Sequence, residues 1–515
     1  MRPLLAGLLC AIFIGIASCA EAPVVSISSG RVQGVVQGNT VAYLGIPYAA
    51  APTGNLRWRA PAPAPQWTDV RETTRFGANC PQPIFEGDPA LTMSEDCLFL
   101  NVWTPQNHRA DARLPVMVWI HGGAYIFGSG DIDDASAFTR DGVVLVSINY
   151  RLGRFGFFAH PALTAENADN GLLGNYGILD QIEALKWVRA NIAQFGGDPD
   201  NVTIFGVSAG ATFTNLLMYS PLSEGLFHRA IAQSDPFAQP WPYMAVMNRS
   251  GQNAESYGDA WAQSVGAPNA TPAQLRAIPT ERALADPNEA NAGGVKPMVD
   301  GRIVPERGPE AFAAGLAHRV PYIIGANSYE GSLTEMYNAD AAALVASLGA
   351  NGPQIVQKYG QTIANNHRLL AATITGDTSF VGPRRIAARL ASSHDVPTWV
   401  YHFAYVPEAL RETLPGAPHA SEVSFAFEDL GMYEGSRFDA RAADKAMARQ
   451  VHSYWVNFAR TGDPNGAGLP NWPRFAPNET LLAFENDGIR PINGYRDDLY
   501  DLIEPSIIGD RLAAH

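Results

Sequence analysis

Phe205-Gly206-Val207-Ser208-Ala209-Gly210 sets one serine between two glycines, and what stands on either side of it decides how the chain folds. Before it, Asn201-Val202-Thr203-Ile204-Phe205 is a short β-branched and apolar run that reads as a strand. After it, small residues permit a helix that packs closely. Strand, glycine-flanked serine and helix together are the context of a nucleophile elbow, in which glycines two before and two after allow a sharp turn that lifts the hydroxyl clear of the sheet. The pentapeptide alone is weak in a chain with 48 glycines. A turn that merely packs a helix on a strand is the competing reading, and the placement favours the elbow.

Working outward, Val116-Met117-Val118-Trp119-Ile120 reads as a buried strand that breaks into the glycine-rich loop His121-Gly122-Gly123-Ala124-Tyr125. A second buried strand spans Val143 to Ile148. Ile178, Ile182, Leu185, Val188 and Ile192 recur at helical spacing and form one apolar face. Further strands are expected at Val320 to Ile324 and at Thr398 to Val406. Strands alternating with helices predict an α/β fold, a large mostly parallel central sheet with helices on both faces.

The chain has 515 residues and is 46% apolar, enough for a large core, with no linker, charge block or repeat to divide it. Met1 to Ala20 carries one basic residue, Arg2, then an apolar run and small residues, the layout of an export signal. Its apolar run is short for a bilayer span. Ile16-Ala17-Ser18-Cys19 also resembles a lipobox, so lipidation at Cys19 competes with ordinary cleavage after Ala20. The expected organisation is a leader over 1–20 and one domain over 21–515, exported to the periplasm, the medium or a lipid anchor on the envelope. Loss of Arg2 takes the formal net charge from −14 to −15. A chain this acidic is repelled by nucleic acid and anionic membrane surfaces, which leaves a Cys19 lipid as its one expected membrane contact. Cys80 and Cys97 are the cysteines left beyond the leader, most simply a disulfide in an exported chain. A metal pair, the alternative, lacks CxxC spacing and a nearby histidine.

A serine hydroxyl is a poor nucleophile near neutral pH, so Ser208 needs a histidine to take its proton and a carboxylate to hold that histidine in one tautomer. In elbow-type sites the chain order is serine, acid, histidine. Glu330, in Gly325-Ala326-Asn327-Ser328-Tyr329-Glu330-Gly331-Ser332, follows a strand's C-terminal end, where catalytic groups gather in open α/β sheets. His419 lies in the loop Gly416-Ala417-Pro418-His419-Ala420-Ser421-Glu422. Periodicity alone does not choose them among eleven histidines. His402, inside a strand pattern, reads as a core or surface residue.

Resemblance makes the choice. Gly45-Ile46-Pro47-Tyr48-Ala49, Ser94-Glu95-Asp96-Cys97-Leu98-Phe99-Leu100-Asn101-Val102-Trp103, the 121–125 loop, Gly174-Asn175-Tyr176-Gly177-Ile178-Leu179-Asp180-Gln181, Phe195-Gly196-Gly197-Asp198-Pro199, the elbow and Trp455-Val456-Asn457-Phe458-Ala459-Arg460-Thr461-Gly462-Asp463-Pro464 run in one order. In these the chain resembles the type B carboxylesterase and cholinesterase family, an α/β-hydrolase group. The resemblance implies a Ser208, Glu330 and His419 triad, and an oxyanion hole made by the N–H groups of Gly123, Ala124 and Ala209, with Gly122 needed for the turn. It implies Ser234 as a support of the triad and a Cys80–Cys97 disulfide. It assigns Arg151 with Asp180, and Arg57 with Glu95, to scaffold ion pairs.

Two positions depart from the family. Val207 stands where glutamate is commonest, and loss of that charge about 4 Å from a ligand cation forfeits about 1–4 kcal/mol, which disfavours quaternary ammonium esters. Asp235 stands where glycine is usual, close to the expected acyl pocket. Both are specificity candidates. The resulting expectation is a serine carboxylesterase acting on a small-molecule ester and water, with neither metal nor cofactor. A neuroligin-like binding protein is disfavoured because the triad is intact, and a hydrolase of a bulky natural product, toxin or polyester differs only in pocket shape. Asn248-Arg249-Ser250 and Asn478-Glu479-Thr480 read as chance sequons.

Overall fold

Odd and even residues of one strand separate the two halves of the core. Val116, Val118 and Ile120 face one side, packed with Ile178, Ile182 and Leu185, while Met117 and Trp119 face the other, with Val451 and Trp455. A strand covered on both faces has no reason to alternate apolar with polar, which is why 116–120 reads as an unbroken apolar run. A computed structural model describes residues 23–509 apart from 85–90, 110, 248–250, 285–294, 337–338 and 434–435. The expected leader with Cys19 and the 248–250 sequon lie outside the described residues.

Among the described residues the main sheet has eleven strands, in the spatial order Gly488–Ile492, Leu481–Glu485, Thr398–Phe403, Tyr322–Asn327, Arg229–Gln233, Gly197–Val207, Leu114–Ile120, Val144–Ile148, Phe99–Pro105, Thr40–Pro47 and Val35–Gln37. Pairing is parallel from Leu481–Glu485 through Val144–Ile148 and antiparallel at both margins. The helices Tyr176–Asn191 and Ala209–Tyr219 cover one face and Ala442–Thr461 the other. This is the mostly parallel sheet covered on both faces that the strand and helix alternation predicts, and the α/β-hydrolase arrangement that the resemblance implies.

The expected apolar face at 178–192 belongs to Tyr176–Asn191, with Ile192 opening the 3₁₀ turn that follows. That helix also buries Asp180, which the Arg151 guanidinium meets at 2.6 and 2.7 Å. Arg57 likewise holds Glu95, which also accepts from Thr280. The first pair ties the loop after strand Val144–Ile148 to that helix and the second ties two loops together, scaffold roles of the kind the resemblance implies. Cys80 and Cys97 form a disulfide. His402 is a core residue, its Nε2 at 2.9 Å from the Tyr495 hydroxyl.

Candidate active site

Ser208 sits between strand Gly197–Val207 and helix Ala209–Tyr219 with φ 57° and ψ −121°. A serine held at positive φ costs about 1–3 kcal/mol, so its surroundings must impose it. They do so through contact. A Cβ on Gly206 would lie 2.5 Å from the Ile120 carbonyl oxygen, and one on Gly210 only 2.0 Å from it. Glycine at both positions lets the helix start directly against the neighbouring strand. The turn is closed by Ser208 N–H donating to Gln233 O (2.8 Å) and by Thr212 N–H donating to Ser208 O (3.0 Å). From Val202 to Ser220 every residue is buried except Ser208.

Glu330 and His419 come together at the end of strand Tyr322–Asn327. His419 Nδ1 and Glu330 Oε2 are 2.5 Å apart. A carboxylate can only accept, so Nδ1 carries the proton and Nε2 keeps the lone pair that a base requires. Glu330 Oε1 accepts from Ser234 Oγ (2.6 Å) and from the Asn327 N–H (2.5 Å). The loops carrying acid and histidine are stitched together by Tyr329 N–H to Ala417 O (2.8 Å), Asn327 Nδ2 to Pro418 O (2.6 Å) and His419 N–H to Ser332 Oγ (3.0 Å). The ring of Phe380 lies 4.8 Å from that of His419. Both members are buried, Glu330 at 1% exposure and His419 at 7%.

The loop after strand Leu114–Ile120 turns sharply, with Gly123, Ala124 and Tyr125 at φ 105°, 51° and 70°. A Cβ on Gly122 would meet Val207 O at 2.8 Å and Ser208 Cβ at 3.4 Å, so this loop lies against the serine turn. Gly123 O is taken by the N–H groups of Ile126 and Phe127, both at 3.0 Å. None of the backbone–backbone hydrogen bonds among the described residues uses the N–H of Gly123, Ala124 or Ala209. These are the donors an oxyanion requires. Burial pushes the His121 imidazole down to about 4, and its Nδ1 lies 2.8 Å from Gly122 O. His121 is therefore neutral at pH 7, with its Nδ1–H held by the turn.

Ser234 is at positive φ with its hydroxyl on Glu330. Val207 is 7% exposed and packs with Trp119, Phe205 and Phe427, so no carboxylate projects from the position before the serine. Asp235 is 2% exposed, with Thr212 Oγ1 donating to Oδ1 (2.6 Å) and Asn215 Nδ2 donating to Oδ2. Both donors lie on the helix that follows Ser208, so the carboxylate is engaged by that helix.

Sequence reasoning did not reach the polar groups behind the triad. Glu422 accepts from Asn327 (2.6 Å), Tyr401 (3.0 Å) and Gln233 (3.2 Å), and burial followed by the Glu330 charge pushes its carboxyl up. Glu422 lay in the loop already singled out, but its partners are remote in the chain and no spacing announces them. A cleft of about 400 Å³ is lined by Pro236, Gln239, Thr378, Ser379, Pro383 and Ile507 among others. It borders the segments that carry Asp235 and Phe380. Among the described residues one group, Asp141, Glu428 and His452, has metal-ligand proximity, but Arg140 meets both carboxylates at 2.6 Å and already supplies the positive charge.

The chain is similar to known proteins over most of its length. The Carboxylesterase family profile matches residues 21–490. The chain is 36% identical to the fumonisin B1 esterase of Sphingopyxis macrogoltabida, over 88% of this chain and 85% of that protein. It is 33% identical to the para-nitrobenzyl esterase of Bacillus subtilis (strain 168), over 90% and 96%. A solved PNB esterase structure superposes with a TM-score of 0.78 at 30% identity, covering 93% of this chain and 99% of that one.

Proposed function

The chain belongs to the carboxylesterase family and is a carboxylic ester hydrolase, and on that premise we propose that it works through an acyl-enzyme on Ser208. Ser208 Oγ attacks the ester carbonyl carbon as His419 Nε2 takes its proton. Glu330 holds Nδ1 and stabilises the imidazolium that forms. The oxyanion is received by the N–H groups of Gly123, Ala124 and Ala209, each such donor being worth about 10²–10³-fold in kcat. Collapse breaks the bond to the alcohol, which leaves with the proton from His419. Water then attacks the acyl carbonyl, His419 takes its proton, and the acid leaves with Ser208 restored. The observation that carries this reading is the Glu330–His419 pair, with Ser234 fixing Glu330 from just past the end of the strand between that pair and Ser208.

The substrate we propose is a neutral or anionic ester rather than a quaternary ammonium one. Val207 and its apolar neighbours support this, because they offer a cation no charge at the position before the nucleophile. The fumonisin B1 esterase among the relatives and the cleft beside Phe380 make bulky esters part of the same proposal. Export, with or without a lipid on Cys19, completes it, and the mass of the mature N-terminus reads which occurs.

The test is kcat/KM on an ester panel varying acyl length, bulk and charge, with Ser208→Ala as the blank. Loss of about 10⁶-fold in that variant supports the mechanism, as removal of a triad serine does. Equal turnover in both proteins refutes it. Val207→Glu is expected to shift preference toward cationic esters, and an unchanged preference refutes the charge argument.

A further inference from the structure

Asp235 is a carboxylate where the resemblance leads one to expect glycine, and its surroundings give it a defined task. We infer that Asp235 is a positioning residue that holds the oxyanion loop against the helix of the nucleophile, acting through Thr212 and Tyr125. This rests on the acyl-enzyme reading of Ser208.

The hydrogen bonds fix a direction. A carboxylate only accepts, so the one hydroxyl proton of Thr212 is committed to Asp235 Oδ1 at 2.6 Å. Thr212 Oγ1 is then an acceptor toward the Tyr125 hydroxyl, 3.2 Å away. The order is Tyr125 to Thr212 to Asp235. The second carboxylate oxygen is held by Asn215, whose own Oδ1 accepts from the Tyr322 hydroxyl at 2.7 Å. One buried carboxylate thereby joins the loop after Ser234, the helix after Ser208 and the loop after His121.

Tyr125 is the residue where such a tether matters. It follows Ala124, and both adopt left-handed backbone, φ 51° and 70°, a conformation that persists in non-glycine residues only when the surroundings over-determine it. The Tyr125 ring lies edge-on to Phe213 and Trp241, each at 5.6 Å, and its carbonyl accepts from the Gly153 N–H at 2.7 Å. Phe213 is the neighbour of Thr212 on the same helix. Ring contact sets how near loop and helix lie, and the hydroxyl tether sets how they are rotated. Without the carboxylate the Thr212 proton is free to turn toward Ser208 O, 3.4 Å away, and the direction of the chain is lost.

The groups facing Asp235 are neutral: Thr212 and Asn215 on the helix, and the phenols of Tyr125, Tyr219 and Tyr322 around it. Burial pushes its carboxyl up to about 6. A charge kept there against that penalty is consistent with a role in the site rather than in stability.

The test uses the whole mature chain with Asp235→Gly, Asp235→Asn and Thr212→Val, each compared with wild type and Ser208→Ala. Three quantities are read at pH 7.5: kcat and KM on a short neutral p-nitrophenyl ester, and the affinity of a trifluoromethyl ketone, which adds to the serine as a tetrahedral oxyanion. Asp235→Gly and Thr212→Val are expected to lower kcat by about 10-fold or more with KM within twofold, and to weaken the ketone by the same factor. Asp235→Asn keeps one acceptor oxygen for Thr212 and is expected to recover most of kcat. The inference is overturned if kcat stays within twofold in both Asp235→Gly and Thr212→Val, if kcat falls while ketone affinity does not, or if KM alone rises. Should Asp235→Gly fail to fold, Thr212→Val and Asp235→Asn carry the comparison. Turnover surviving in Ser208→Ala refutes the acyl-enzyme reading instead, so the two failures are distinguishable.

Discussion

Glu330 receives Ser234, Asn327 and His419, and only the last of these bonds belongs to the reaction. Glu330→Gln preserves the shape but offers His419 Nδ1 an amide, which can hold the imidazole in the wrong tautomer. We expect kcat to fall by about 10³–10⁴-fold with little change in KM, measured on an uncharged ester. Asp235 makes a different prediction, about pH and stability. Its carboxyl is raised from 3.8 to about 6 in the folded protein, so between those values the folded state binds more protons than the unfolded one. Stability from this group is therefore full below about pH 4 and falls as pH rises through 6, by about 3 kcal/mol in all. Urea denaturation of wild type and Asp235→Asn at pH 4.5 and 7.5 checks the sign. The variant should gain on wild type at the higher pH.

At the scale of elements, the strand–turn–helix at Ser208 depends on two missing side chains. Gly210→Ala places a methyl group 2.0 Å from the Ile120 oxygen, and since that oxygen belongs to the backbone at the end of a central strand paired on both sides, it has little room to move. We expect a lower melting temperature and a loss of kcat larger than stability accounts for, because the helix that presents Ala209 must shift. A melting temperature and a kcat both unchanged would show that the elbow tolerates the displacement. These elements were legible from the sequence because each has a local cause: unbroken apolar runs for doubly covered strands, helical spacing at 178–192, glycines at the turn. The triad was legible only through resemblance, since nothing local distinguishes Glu330 or His419 from other acids and histidines. The network around Asp235 was not legible at all. Tyr125, Thr212 and Tyr322 are brought to it by the order of strands, which a departure from glycine at one position does not announce.

Across the whole molecule, the candidate site is assembled from loops at the ends of adjacent parallel strands, and the cleft beside Phe380 also borrows Ser506 and Ile507 from the C-terminal helix Asp497–Ile508. That helix is pinned by Arg385, 6% exposed, which meets Glu504 and Asp501 at 2.8 Å and Glu479 at 3.0 Å. Arg385→Ala leaves those carboxylates to Arg389 alone, which meets Glu479 at 2.6 Å and Glu504 at 3.0 Å, and we expect a loss of about 1 kcal/mol in denaturation, with KM for bulky esters changing more than for short ones. Equal effects on both ester sizes would separate the helix from the cleft. The central claim, however, is the covalent step at Ser208. The direct measurement is peptide mass spectrometry after inactivation by diethyl p-nitrophenyl phosphate, which leaves a stable phosphoryl group on an activated serine. One diethylphosphoryl group on Ser208, rising in step with lost activity and absent in His419→Ala, is the predicted result. Full inactivation with the adduct elsewhere, or full activity with Ser208 modified, would contradict it.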